Sequence, residues 1–154
     1  MPIEVKTTLK ALAEAMDCQM EGYSAYLNVE TGEIVEVSDE DLGKVEMGEE
    51  PEWSEDEDLL REIIERPEVY RALPSKYDIH EYNIMRDFAH AQEGRLRDDL
   101  LRAISGRGAF RYFKDTIHRY GVAERWYAFK EEVLKEMARE WCEKEGLVIN
   151  GDSD

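Results

Sequence analysis

Three histidines, two cysteines and a crowd of carboxylates are the residues here that could do chemistry, so their spacing is the first test. His80, Asp87 and His90 fall within one stretch of helical periodicity, and His90 follows Asp87 by three positions, near enough to share a helix face and contribute to a metal site. A metal centre needs a third or fourth ligand, and the sequence supplies none: His80-Glu81 is not followed by the second His of an HExxH motif, because residue 84 is Ile. Asp39, Asp41 and Glu50 copy positions 1, 3 and 12 of a calcium loop, but Lys44 stands where its glycine must be. There is no GxSxG, and neither Cys18 nor Cys142 has a neighbouring His. No metal ligand or cofactor is therefore expected, and the sequence identifies no catalytic residue.

Charge offers a better lead. Twenty Lys and Arg against 37 Asp and Glu give a net charge of −17, which repels nucleic-acid backbones and anionic membrane surfaces. Residues 94–119 are the local exception: Arg95, Arg97, Arg102, Arg107, Arg111, Lys114 and Arg119 against Asp98, Asp99 and Asp115 make +4. Within them Gly106-Arg107-Gly108 separates two helical patterns. Backbone amides at a helix start, with glycine permitting close approach, could hold an anion beside Arg107 and Arg111. The string lacks the GK[ST] ending of a nucleotide loop, so the simpler expectation is a tight helix-helix turn whose basic residues pair with the protein's own carboxylates, Arg107 included. Arg95, Gly106, Arg107, Gly108, Arg111 and Lys114 are the candidate anion or partner contacts.

The elements that must position these residues follow from periodicity. Thr7 or Thr8 caps a helix with Leu9, Leu12, Ala13 and Met16 on one face. Alternation through Tyr23, Ala25, Leu27 and Val29, a loop with Gly32, then Val35 and Val37 predicts a β-hairpin, the one clear strand pair. An isolated hairpin is marginal in water, so it must pack on helices or be extended by another chain, and its edge and aromatic residues suit a homodimer. Between Glu36 and Asp58 twelve carboxylates meet one base, Lys44, giving −11 in 23 residues; with Gly43, Gly48 and Pro51 inside, 38–58 reads as a solvated acidic connector, Trp53 excepted. A helix capped at Ser54 runs to Arg66 before Pro67. Further helices are predicted over 78–91, from Gly94 to a stop at Gly106, with Phe110, Phe113 and Ile117 as the buried stripe of the next, and over 122–145, striped by Trp126, Phe129, Val133, Met137 and Trp141.

The fold class is thus α+β and predominantly α-helical: one domain over 1–147, with an N-terminal helix and hairpin (7–37), the acidic connector, a C-terminal helical array (59–146) and a tail at 148–154.

Three strings in order, YLNVETGEIVEVSDEDL (26–42), GRGAFRYFKD (106–115) and ERWYAFKEE (124–132), resemble the bacterial family catalogued as uncharacterised protein family 0158. The resemblance runs from about Leu9 to Leu147, and GRGAF followed by an aromatic residue and Lys, then RWYAF, is its most specific part. The chain departs from it at Tyr112, where Arg is common, and at Cys142, where an aliphatic residue is usual. The resemblance implies a bacterial cytoplasmic protein and a full-length single domain, and brings no activity, cofactor or site residues. Unpaired cysteines 124 positions apart and the lack of a signal-peptide or membrane-spanning run agree with a cytoplasmic location. The expected function is a non-enzymatic interaction or regulatory module, with a protein partner or self-association. An anion- or nucleic-acid-binding protein using 95–119 ranks second, although the charge disfavours nucleic acid, and a metal-dependent enzyme third.

Overall fold

A computed structural model describes residues 2–50 and 57–151. Strand β1 (Ile3–Val5) leads into helix α1 (Leu9–Asp17), where extended Thr8 accepts the Ala11 N–H at 2.9 Å and so satisfies one otherwise orphaned donor. Leu9, Leu12, Ala13 and Met16 are buried, as their spacing requires.

Strands β2 (Tyr23–Asn28) and β3 (Ile34–Ser38) form the hairpin, in register from Tyr23 opposite Ser38 to Leu27 opposite Ile34. Gly32 is required twice over: its φ is +81°, and a Cβ there would lie 2.0 Å from the Lys6 carbonyl oxygen. The hairpin is extended by its own chain. Strand β4 (Tyr70–Ala72) pairs antiparallel with β2, giving the order β3-β2-β4. At three residues it is too short to show alternation in a sequence.

The acidic stretch is more than a connector. Helix α2 (Asp39–Glu46) begins on Ser38, whose Oγ accepts the Asp41 N–H at 3.3 Å, and places Asp39, Glu40 and Asp41 in its first turn, where the positive end of the helix dipole favours them. Leu42 and Val45, three apart, pack with Leu59 against a core of Val37, Leu60, Ile63, Val69 and Tyr70, to which α3 (Glu57–Glu65) contributes. The density of carboxylates hides this narrow apolar face. Trp53 and the expected Ser54 cap lie outside the described residues.

Residues 147–151 are likewise not a tail. Strand β5 (Leu147–Ile149) runs parallel to β1, the Asn150 N–H donates to the Val5 carbonyl at 2.7 Å, and a Cβ on Gly151 would lie 2.2 Å from the Thr7 oxygen.

The chain divides into two compact units, one of residues 1–78 with 135–154 and one of residues 79–134. After the short α4 (Lys76–Ile79), the second is built from α5 (Glu81–Ala91), α6 (Gly94–Ala103), α7 (Ala109–Arg119) and the first half of α8 (Ala123–Glu145). The single helix expected over 78–91 is broken at His80, which sits at φ 53° in the left-handed region. Edge-to-face contacts of Phe88 with Phe113, Trp126 and Phe129, at ring separations of 6.1, 5.5 and 5.4 Å, make the core of this unit.

Two expected stripes shift. In α7 the buried residues are Phe113, Thr116 and Ile117, with the Thr116 hydroxyl donating to the Tyr112 carbonyl at 2.7 Å, whereas Phe110 is half exposed. In α8 Trp126, Leu134, Ala138 and Cys142 are buried, while Phe129, Val133, Met137 and Trp141 are only partly covered.

Candidate interaction site

The turn between α6 and α7 is fixed from its own backbone. Helix α6 ends at Ala103 with Ile104 as its cap, before the stop expected at Gly106. The Ser105 hydroxyl donates to the Arg102 carbonyl at 2.7 Å, and the Tyr82 hydroxyl donates to that of Ile104 at 3.0 Å. The glycine that turns the chain is Gly108, at φ +74°, and it caps α7 without any side-chain hydrogen bond. The Tyr112 ring packs against it: a Cβ on Gly108 would come within 3.2 Å of a ring carbon. Tyr112 nevertheless stays 54% exposed, and Phe110, on another side of the helix, 50%.

The basic residues separate into two groups. Arg102 and Arg119 both reach Asp99, at 3.2 and 3.3 Å, while Arg97 donates to the carbonyls of Gln92 and His90 at 2.8 and 3.1 Å. Arg95 is close enough to Asp99 to act on it electrostatically. These fit the expected internal role. Arg107, Arg111 and Lys114 do not: all three are exposed, and among the described residues their side chains make no hydrogen bond or ion pair. The internal pairing expected of Arg107 is absent, because the turn is held by Ser105, Tyr82 and Gly108 without it.

Asp99 is held in its charged form by its neighbours. The Tyr120 hydroxyl donates to it, which, with Arg102 and Arg119 nearby, holds its carboxyl below the usual carboxylate range; the same bond raises the Tyr120 hydroxyl above its ordinary value. Stability from the Asp99 carboxylate is therefore present above its unfolded pKa and lost as pH falls through the lowered one.

The histidines and cysteines are placed for little joint chemistry. His80 lies at the N-terminal cap of α5 rather than on its face, Asp87 pairs with Arg86 at 3.7 Å, and His90 offers its carbonyl to Arg97. Burial, aided by Glu145, pushes the Cys142 thiol up to about 11, so it is a poor nucleophile at neutral pH.

What the sequence reasoning missed is the aromatic half of the site, since Phe110 was assigned to the core. A signal existed: Phe110, Tyr112 and Phe113 fall within four residues of one helix and cannot all share one face. Phe110 with Arg107, Arg111 and Lys114, spaced three and four apart, gives an exposed aromatic-basic surface over the first turns of α7, while Tyr112, two residues on, projects from the other side of the helix into a hollow lined by Asp99, Arg102, Asp115 and Arg119. The aromatic-basic surface could engage a carboxylate- or phosphate-bearing partner through charge and an apolar or planar group through the ring.

The strings 106–115 and 124–132 that build this surface and the helix after it lie inside a match to the model of the uncharacterised protein family UPF0158, which covers residues 1–152. The chain belongs to this family. No curated protein and no solved structure matches it. Membership in the UPF0158 family thus accounts for the GRGAF and RWYAF strings and leaves function to be argued from the surface itself.

Proposed function

We propose that this UPF0158 member is a non-enzymatic interaction module that binds an acidic partner through Arg107, Phe110, Arg111 and Lys114. The observation that carries this is the placing of cations at the wrong end of a helix. The N-terminus of α7 has no acidic residue in its first turn and no side-chain cap, yet Arg111 stands in that turn and Arg107 just before it. Positive charge there opposes the helix dipole, at roughly 0.3–1 kcal/mol per charge for an exposed group. A residue kept for stability would be acidic at this position. A half-exposed aromatic ring, Phe110, flanked in sequence by arginine is also the composition in which binding hot spots are enriched. A cytoplasmic setting suits this reading: both cysteines are free thiols, and no helix among the described residues is long and apolar enough to cross a membrane.

A second reading, binding of a phosphate backbone, draws on the same exposed Arg107 and Arg111, because a stacking ring beside cations also suits single-stranded nucleic acid. The charge of −17 opposes it at long range. Fluorescence anisotropy with a labelled 20-residue poly-glutamate and a labelled 20-nucleotide oligothymidine separates the two. We expect poly-glutamate to bind at least tenfold more tightly than the oligonucleotide, and the triple variant Arg107→Ala, Arg111→Ala, Lys114→Ala to lose that binding. Tighter binding of the oligonucleotide would transfer the site to nucleic acid, and binding of neither probe at low salt would overturn both readings.

A further inference from the structure

The chain carries a surface of the opposite sign built in the same way. Helix α2 ends at Glu46, and Met47, Glu49 and Glu50 follow it, all exposed; Met47, at 78%, is among the most exposed apolar side chains described. Their backbone is held rather than loose. The Met47 N–H donates to Gly43 at 3.1 Å, that of Gly48 to Val45 at 3.0 Å and that of Glu49 to Lys44 at 2.7 Å, with Gly48 at φ +82°. Three carboxylates thus gather at the negative end of a helix dipole, where cations belong, and the one cation of the last turn, Lys44, lies 3.7 Å from Glu40.

The two surfaces complement each other in chemistry. At the start of α7 Arg107 and Arg111 sit at the positive end of a helix beside Phe110, with Lys114 one turn on; at the end of α2 three anions sit at the negative end of a helix around Met47. Each is unfavourable alone, and each offers the charge the other lacks. A methionine sulfur against an aromatic ring is itself a favourable contact.

Resting on the proposed function, we infer that the acidic partner is a second copy of this chain, whose 46–50 surface docks on the 107–114 surface of the first. Such a contact is heterologous: different patches of the two molecules meet, so the assembly either closes into a ring or extends as a chain. The long-range repulsion between two bodies of charge −17 reaches only about 8 Å at physiological salt, while side chains in contact still attract.

Charge-swapped full-length variants test it. One carries Arg107→Glu, Arg111→Glu and Lys114→Glu; the other carries Glu46→Lys, Glu49→Lys and Glu50→Lys. In sedimentation velocity at about 0.15 M salt, the wild type should gain mass with concentration. Each variant alone should associate at least tenfold more weakly, and mixing the two in equal amounts should restore association, with the two variants alternating in the assembly, which also shows that both are folded. Wild type that stays monomeric while still binding poly-glutamate would overturn the second copy as partner and leave the proposed function standing. Wild type that stays monomeric and binds no poly-glutamate would remove both, and association unaffected by either set of substitutions would place self-contact elsewhere.

Discussion

Residues 79–134 hold ten Lys and Arg against nine Asp and Glu, a net of +1, so the remaining 98 residues carry −18. The acidity of the protein therefore belongs to one of its two compact units, and a single net charge describes neither. The units also differ in what holds them. The first relies on short strands tied at close backbone approaches, Gly32 against Lys6 and Gly151 against Thr7, and on ion pairs such as Arg66 with Glu30 and Glu62 at 3.1 and 3.3 Å. Exposed pairs of this kind contribute little each, so the backbone contacts and the Val37–Tyr70 core matter more. The second has no strand among its described residues and depends on interlocking aromatic rings. Arg107, Arg111 and Lys114 lie on its surface without internal partners.

Truncating the aromatic centre should do the most damage. Phe88→Ala removes a ring that is 1% exposed and touches three others, and should cost about 3–5 kcal/mol, the range for large-to-small changes at aromatic core positions. Urea denaturation would measure the loss, and hydrogen exchange should quicken in α5 and α7. A cost below about 1 kcal/mol would mean that the ring cluster is not what holds residues 79–134.

A smaller but still large effect is expected in the acidic unit. Gly32→Ala puts a Cβ onto the Lys6 carbonyl and a side chain at φ +81°, and should destabilise by roughly 3 kcal/mol. An unchanged denaturation midpoint would show that the close approach is easily relieved.

Much of the fold was legible because its elements are long enough to show a period. The N-cap and buried face of α1 and the existence of the hairpin follow from Thr8, Leu9, Leu12 and the alternation around Ala25 and Leu27. Strands β1, β4 and β5 were not legible, since three residues carry no period and their pairing depends on partners far away in sequence, such as Ile3 with Leu147. Helix α2 was hidden because charge count outweighs a two-residue apolar face at Leu42 and Val45. At the site, the cations and the glycine turn were legible as residue types. Which cations find an internal carboxylate was not, because Asp99 collects Arg102 and Arg119 by tertiary placement and leaves Arg107, Arg111 and Lys114 without one.

The central claim is that the start of α7 is arranged for a partner at some expense to its own stability. The substitution Arg111→Glu measures both sides of it at once. Replacing a cation by an acid in the first turn of α7 changes an unfavourable dipole interaction into a favourable one and should raise stability by about 0.5–1 kcal/mol in urea melts. The same protein should lose at least tenfold in affinity for labelled poly-glutamate. A variant that is less stable than the wild type, or equally able to bind the acidic probe, would contradict the account.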